Sequence, residues 1–433
     1  METIPVPELK KHISPADKKK AEKIRDAGGK LYIVGGFIRD LLLELKPGDK
    51  DYCITGLKPE KVEELFPEAE LVGKSFPVYL IHGKEFALAR KEISTGKRHK
   101  DFKVDYSPDI TIQEDLIRRD LTINAIALDI LKNKIITVPG ALSDLEKGKL
   151  REVSDKYAED PLRVYRTARF AAVLDFKLTS SLLNQMQKLK PALKYLPVER
   201  VFTEFKKALA SSHPQKFFLV LKKTDLLKIH FQELDNLWYV TQNKKYHPED
   251  YVHQHILQCL QLLEEYRGGL PFRFAVLMHD VGKGLTPEEN LPQHYQHDKY
   301  GVKALNDMAA RLKIPNKWYQ AAKIAIEEHL RITKWKEMSP GKVVKLFKKI
   351  KRSPLSIEDM VNLVKIDRRS RGQKTPLDQN IKRMKGIEEL YYRMFAETGG
   401  KDINADKYSG KEFGKKLFQY RSRWLKRERQ QYL

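Results

Sequence analysis

The sequence predicts an α+β head followed by an all-α body. Residues 30 to 140 mix short strand-like and helical stretches, starting with the β-rich apolar run Leu31-Tyr32-Ile33-Val34. From 141 onward the apolar spacing is almost wholly helical, as at 161–174 and 203–209. The length of 433 residues allows roughly two to four domains with ample core. The chain divides into a polar, mostly helical extension (1–29), the head (30–140), a helical neck (141–240), a second helical domain (241–375) and a basic helical tail (376–433).

Composition narrows the partners. A net charge of +24 with 32% charged residues fits a polyanion partner, held with an affinity that falls steeply with salt. Two cysteines, Cys53 and Cys259, argue against a disulfide scaffold and for a reducing compartment. No apolar stretch reaches the ~18 residues of a membrane-spanning helix. Met1-Glu2-Thr3-Ile4-Pro5 lacks a signal-peptide pattern, so the expected location is cytoplasmic, with no membrane partner.

The head opens with its most informative motif. After the apolar run come Gly35-Gly36-Phe37-Ile38-Arg39-Asp40, then Ile38, Leu41, Leu42 and Leu45 at helical spacing. A strand, two glycines and a helix start let the backbone approach a phosphate closely. Asp49 and Asp51 follow, two residues apart, so on a strand they project from one face and can share a divalent cation. Phosphates at glycine and metal at carboxylate are the parts of a nucleotidyl-transfer site. Arg118-Arg119-Asp120 adds guanidinium forks suited to a triphosphate. Glu159-Asp160 then leads into Arg163, Arg166 and Arg169, which recur every three residues. They share one helix face. Leu162, Val164, Phe170, Ala171 and Ala172 surround them with apolar side chains, which places the arginines along a cleft rather than on a solvated stripe.

The order of these elements resembles the class II tRNA nucleotidyltransferases, the CCA-adding enzymes and their bacterial poly(A) polymerase relatives, of the DNA polymerase β superfamily. Gly35-Gly36-x-x-Arg39-Asp40, Asp49-x-Asp51, Arg118-Arg119-Asp120, Glu159-Asp160-x-x-Arg163 and Glu199-Arg200 carry the likeness over residues 30 to 375. It implies a polymerase β-like head with Mg²⁺ on Asp49 and Asp51, and with tRNA, ATP and CTP as partners. It implies further that Gly36, Arg39, Arg119 and Asp120 bind the nucleotide, that Asp160 and Arg163 read the base edge, and that Arg166 and Arg169 line the same pocket. An Asp/Arg pair offers acceptors and donors, so a small reorientation could satisfy cytosine or adenine. Glu92, just after the run Phe86-Ala87-Leu88-Ala89, is a third carboxylate candidate. The polar, basic stretch 94–101 occupies the place of the loop that family members need for the terminal A, which favours complete CCA addition.

A second centre is histidine-based. Seven of the twelve histidines fall between 247 and 329. An apolar helix from Phe274 delivers His279-Asp280 and breaks at Gly282, and imidazole with carboxylate suits a transition metal. With His255 before it and Asp367 after it, the order resembles the HD phosphohydrolase superfamily. That likeness implies His255, His279, Asp280 and Asp367 as ligands of a metal such as Ni²⁺. It leaves His297 and His329 for a second metal or phosphate, and His247, His253 and His294 as structural or peripheral. The implied activities are 2′,3′-cyclic phosphodiesterase, 2′-nucleotidase and phosphatase.

The tail places Phe413, Phe418, Tyr420, Trp424 and Tyr432 among many Lys and Arg. Such interleaving suits an RNA surface or an amphipathic helix docked on the protein's own body. The reading is a CCA-adding enzyme with a hydrolase domain, monomeric or homodimeric. A poly(A) polymerase or CC-adding enzyme would share its transferase motifs, and an RNA-binding protein with silent centres is the alternative from another class.

Overall fold

The computed structural model describes all residues except 1, 6, 73–77, 95–101, 246, 372–380, 382, 400, 404–407 and 433. It forms two units, Met1–Leu196 and Pro197–Leu433. The first is built on an eight-stranded sheet. Its strands are β1 (Glu2–Pro5), β2 (Lys30–Val34), β3 (Asp51–Thr55), β4 (Glu70–Val72), β5 (Val78–Ile81), β6 (Lys84–Leu88), and, beyond the separate hairpin of β7 (Lys91–Ser94) and β8 (Phe102–Asp105), β9 (Ile126–Asp129) and β10 (Lys134–Thr137). The order is β1-β10-β9-β2-β3-β6-β5-β4. Only β3 and β6 run parallel, with Tyr52 opposite Phe86. β2 is buried from its second residue on, so the expected strand sits at the sheet's centre. The extension is helical where expected, but Glu2–Pro5 leaves that pattern and pairs with β10 at the sheet edge.

Local chemistry then aims the motifs. Helix α1 (Pro15–Asp26) starts with a capping box between Ser14 and Asp17. The buried Asp17 also accepts from Lys50 Nζ at 2.7 Å and from the Tyr52 hydroxyl at 2.7 Å. Burial alone would push its carboxyl up, but these donors and Ser14 hold it well below the usual carboxylate range. Lys50 is thereby turned toward α1, and on an extended chain its neighbours Asp49 and Asp51 face the other way. After β2, Gly35 takes φ +75° and turns the chain into α2 (Gly36–Leu42). Further on lie α3 (Pro59–Leu65), α4 (Ile112–Ile117), α5 (Ala141–Glu146) and α6 (Arg163–Leu174). α4 starts from a capping box of Thr111 with Glu114.

The second unit is all helical apart from an isolated bridge, Thr241 to Tyr251, among the described residues. Its helices here are α7 (Val198–Leu209), α8 (Val252–Gln261), α9 (Leu270–Met278), α10 (His297–Leu312), α11 (Asn316–Ile332), α12 (Pro340–Arg352), α13 (Ile357–Arg369), α14 (Ile387–Glu397) and α15 (Gly410–Glu428). Phe205 anchors the core, with ring neighbours Phe217, Phe218, Phe231, Phe274 and Trp318 at 5.2–6.4 Å. Aromatic rings bury the most area per residue, so this cluster fixes α7 against α9 and α11. No helix among the described residues is long and apolar enough to cross a membrane.

Candidate active sites

In the first unit one hydrogen-bonded chain joins motifs distant in sequence. Arg39, buried at the start of α2, holds Asp40 Oδ1 through Nε and Nη2 (2.8 and 2.6 Å) and donates Nη1 to Asn124 Oδ1 at 2.7 Å. Asn124 Nδ2 donates to Asp120 Oδ1 at 3.1 Å, and Arg166 Nε donates to Asp120 Oδ2 at 2.8 Å. Phe170 is the platform beneath, with the guanidinium carbons of Arg39, Arg166 and Arg169 at 5.1, 5.8 and 4.0 Å from its ring centre. Of the three arginines expected along a cleft, Arg166 and Arg169 meet Arg39 on the ring of Phe170, one of the apolar residues noted around them. Asp120 positions Asn124 and Arg166, since its oxygens accept from these two side chains and from the Leu121 N–H.

Arg119 is aimed by a residue the sequence reading missed. Asp115, fully buried on α4, accepts from Arg118 Nε at 2.9 Å and from Arg119 Nη2 at 3.1 Å. Burial would raise its proton affinity, but the two guanidinium groups outweigh that and keep it ionised. Arg119 Nη1 then lies against Gly35, where a Cβ would sit 3.1 Å from it. Its buried Nε has no hydrogen-bond partner, so the guanidinium keeps a donor for an anion. The spacing of Asp115 three and four residues before the arginines on a helix was the available signal.

Asp49 and Asp51 are exposed at the start of the interior strand β3. Partial desolvation pushes the Asp51 carboxyl up, and Glu85 adds to this, opposed by Arg119 and reinforced by Asp49. Glu85 precedes Phe86 on β6 as Asp51 precedes Tyr52 on β3, so the parallel register sets the two acids side by side. An acid whose proton affinity is raised by two neighbouring carboxylates belongs to a site that a divalent cation would complete. Glu92 lies on β7 opposite Val104, and its side chain falls outside the described ones. So do residues 95–101 of the expected loop.

Asp160 Oδ1 accepts from Leu162 N at 3.0 Å, which starts α6. Arg163 is buried and donates to the carbonyls of Lys156 and Arg118, the latter at 2.6 Å. Its guanidinium is pinned by main chain, which restricts the free reorientation expected of it. Glu199 belongs to the second unit, where it pairs with Lys313.

The HD centre assembles in the second unit from α8, the end of α9, and α13. His255 Nε2 lies 3.1 Å from Asp367 Oδ1. His279 Nε2 lies 3.5 Å from Asp280 Oδ2 and 3.7 Å from Asp367 Oδ1. These four buried residues offer ligand atoms all within 4.8 Å of one another. The other oxygen of Asp280 faces His329 Nε2 at 3.5 Å and His297 Nε2 at 3.6 Å. Asp280 thus stands between two nitrogen pairs, the arrangement of a carboxylate shared by two cations. Nδ1 of His279, His297 and His329 each lies near a main-chain carbonyl, of Val276, His294 and Ala325. That contact orients Nε2 as the lone-pair donor toward the centre. Nε2 of His279 and of His297 lacks a hydrogen-bond partner although buried, so the donor set fits metal. Gly282 makes the approach possible: a Cβ there would lie 1.9 Å from the His297 carbonyl oxygen.

The flanking groups also have roles. His255 Nδ1 lies 3.1 Å from Glu249 Oε1 and 3.0 Å from Ser370 Oγ. His247 Nδ1 lies 2.9 Å from the same Glu249 oxygen, so His247 supports the ligand shell. His294 sits at the Thr241 carbonyl and His253 stacks on Trp238 at 4.8 Å, both structural positions. Lys283 and Arg371 pair with Asp280 and Asp367 at 2.7 and 2.6 Å. Burial would raise both carboxyls, but these cations and the histidines hold them well below the usual range.

Sequence comparison names the class that these two centres define. Residues 31–151 match the Poly A polymerase head domain, 175–237 the probable RNA and SrmB-binding site of polymerase A, and 252–382 the HD domain. The chain is thus a polymerase-type nucleotidyltransferase head carried with an HD domain, and it uses divalent metal. It is 40% identical over 355 residues to the multifunctional CCA protein of Mannheimia succiniciproducens, covering 78% of this chain and 84% of that one. To the Shewanella frigidimarina multifunctional CCA protein it is 41% identical over 330 residues, covering 74% and 78%. The chain belongs to the family of multifunctional CCA proteins. Its fold is shared by the Thermotoga maritima CCA-adding enzyme complexed with tRNA (TM-score 0.64, 18% identity, 98% and 95% of the two chains). The Bacillus stearothermophilus CCA-adding enzyme in complex with CTP is a further neighbour (TM-score 0.59, 22% identity, 96% and 98%).

Proposed function

We propose that the chain adds CCA to the 3′ end of tRNA from CTP and ATP without a nucleic-acid template, in the cytoplasm, and that its HD centre hydrolyses phosphate esters. The observation that carries the first activity is the bonded chain from Asp40 through Arg39, Asn124 and Asp120 to Arg166 beside the converging acids. Asp49 and Asp51, with Glu85, would hold Mg²⁺, which when bound lowers the pKa of the attacking 3′-hydroxyl and neutralises the triphosphate. Arg119 and Arg39 bind phosphate oxygens, positioned by Asp115 and by Asp40 with Asn124. Arg166 and Arg169, stacked on Phe170, line the nucleotide pocket. Asp160 and Arg163 present acceptor and donor to the base edge, with Arg163 held rigid by the carbonyls of Lys156 and Arg118. A pinned reader discriminates by fixed geometry, at roughly 1–3 kcal/mol per good bidentate contact.

At the second centre His255, His279, Asp280 and Asp367 would hold one transition metal such as Ni²⁺, and Asp280, His297 and His329 a second. Such metal supplies an activated water and polarises a phosphate ester. Glu249 orients His255, and backbone carbonyls orient the other imidazoles. The test is purified protein with tRNA lacking CCA and each nucleotide singly and together, resolved at single-nucleotide length. C, C and A should be added in turn. A long homopolymer from ATP alone would replace this reading with polyadenylation, and no incorporation would end it. Hydrolysis of 2′,3′-cyclic AMP with Ni²⁺, Mn²⁺ or Co²⁺ tests the second activity on the same preparation.

A further inference from the structure

The HD match covers α12 and ends at residue 382; α15 beyond it packs on α12, and the two carry a charged surface that neither centre uses. Helix α15 is docked on its own body: Trp424 and Leu425 are buried, and Phe418 sits against α12, 3.1 Å from where a Cβ on Gly341 would lie. Docking buries or half-buries the tail's large apolar residues and leaves Lys411, Lys415, Lys416, Arg423, Lys426 and Arg427 exposed. α12 reads PGKVVKLFKKIKR, with six Lys or Arg in thirteen residues and no acid.

At the junction the like charges are gathered rather than spread. Phe395 on α14 has Lys351 Nζ at 4.0 Å and the Arg421 guanidinium at 4.9 Å from its ring centre. Arg421 is locked in place, donating Nε to Thr398 Oγ1 and Nη2 to the Thr398 carbonyl, each at 2.9 Å. Lys348 lies beside Arg352 and Arg421, and burial together with these neighbours lowers its proton affinity from the ordinary lysine range. The nearby acids are spent elsewhere, since Glu397 and Glu428 both pair with Arg393. Among the described residues no ion pair offsets Lys345, Lys348, Lys351 or Arg352. A folded protein that holds several unpaired cations together, one of them by two hydrogen bonds, carries a cost that an anionic partner repays.

We propose that α12 and α15, with Phe395 between them, form an RNA-binding surface that grips the sugar-phosphate backbone of the tRNA substrate. This rests on the proposed transferase reading. The apolar side chains of the layer are turned inward, whereas a membrane-surface helix would present them outward. Extended exposed cations with little exposed apolar area are the footprint of phosphate-backbone binding.

The test is the triple charge reversal K345E/K351E/R352E, at exposed positions of α12, in the full-length chain. The control is K303E/K317E/K334E, which changes net charge equally at exposed positions elsewhere in the same unit. Filter binding of tRNA lacking CCA between 50 and 200 mM salt should show about tenfold weaker binding at the lower salt. The slope of log affinity against log salt should fall by about 2, three contacts at about 0.7 each. KM for tRNA should rise in parallel, with KM for CTP and hydrolysis of bis(p-nitrophenyl) phosphate unchanged. Equal tRNA affinity and slope in the triple variant and the control would overturn the proposal. So would loss of binding to phosphatidylserine vesicles with tRNA binding intact. Because binding is read apart from turnover, wild-type protein that binds tRNA but adds no nucleotide refutes the transferase reading and not this one.

Discussion

The acids of the transferase centre stand in the open, whereas those of the HD centre are sealed in. Asp49 and Asp51 are exposed and faced by Glu85 and Arg119. Asp280 and Asp367 are buried, ringed by imidazoles and tied to Lys283 and Arg371. The first arrangement suits a hard, exchangeable cation that arrives with a triphosphate, since oxygen ligands open to solvent neither select nor retain it strongly. The second suits a softer metal kept for many turnovers, because oriented imidazoles bind transition ions and the closed shell slows their loss.

The largest expected effect tests whether the open acids act through metal alone. D49A/D51A should lower CMP incorporation by at least about 10³-fold, each lost charge-stabilising group costing several kcal/mol. It should leave 2′,3′-cyclic AMP hydrolysis at the wild-type rate, and CMP incorporation near that of wild type would dissolve the contrast. The reciprocal variant, H279A, should lose hydrolysis by about 10²-fold or more and retain less bound transition metal, measured by elemental analysis after dialysis. Its CMP addition should be untouched. If it loses addition while its circular dichroism is unchanged, the two centres are not independent.

Smaller effects sharpen each side. E249Q should weaken metal retention by about 10–100-fold, because it supports His255 without touching the metal. E85Q should raise the Mg²⁺ concentration needed for half-maximal CMP incorporation by more than E92Q does. The reverse ranking would restore the acid chosen from sequence spacing. The smallest effect concerns a residue of neither centre. Burial, with Arg311 nearby, pushes the His230 imidazole down to about 4, so the fold favours its neutral form. Its contribution to stability is complete above about pH 6.5 and is lost as pH falls from there through about 4. Urea midpoints at pH 7, 5.5 and 4.5 should fall for wild type and fall less steeply for H230Q.

Sequence alone determined which residue types lie at which spacing. The two glycines after an apolar strand, the Asp-x-Asp, the arginine triplet every three residues and the His-Asp at a helix end are local patterns. Local backbone periodicity turns each of them into a shared face, so they were legible before any fold. What lies between distant segments was decided only by tertiary structure. Glu85 became the neighbour of Asp51 because β6 pairs parallel with β3, a register no local pattern encodes. Asn124 came to Arg39 across 85 residues and Arg166 to Asp120 across 46, and the fold brought Arg39 to the Phe170 ring that Arg166 and Arg169 already flank on their own helix. Arg163, chosen for the base edge by motif, is pinned by the main-chain carbonyls of Lys156 and Arg118. Asp280 could be read as a ligand, but its place between two histidine pairs depended on Gly282 letting α10 come within contact. Hydrogen bonds and charge pairs form between whatever side chains packing brings together, and packing is set by the whole buried surface rather than by any one motif.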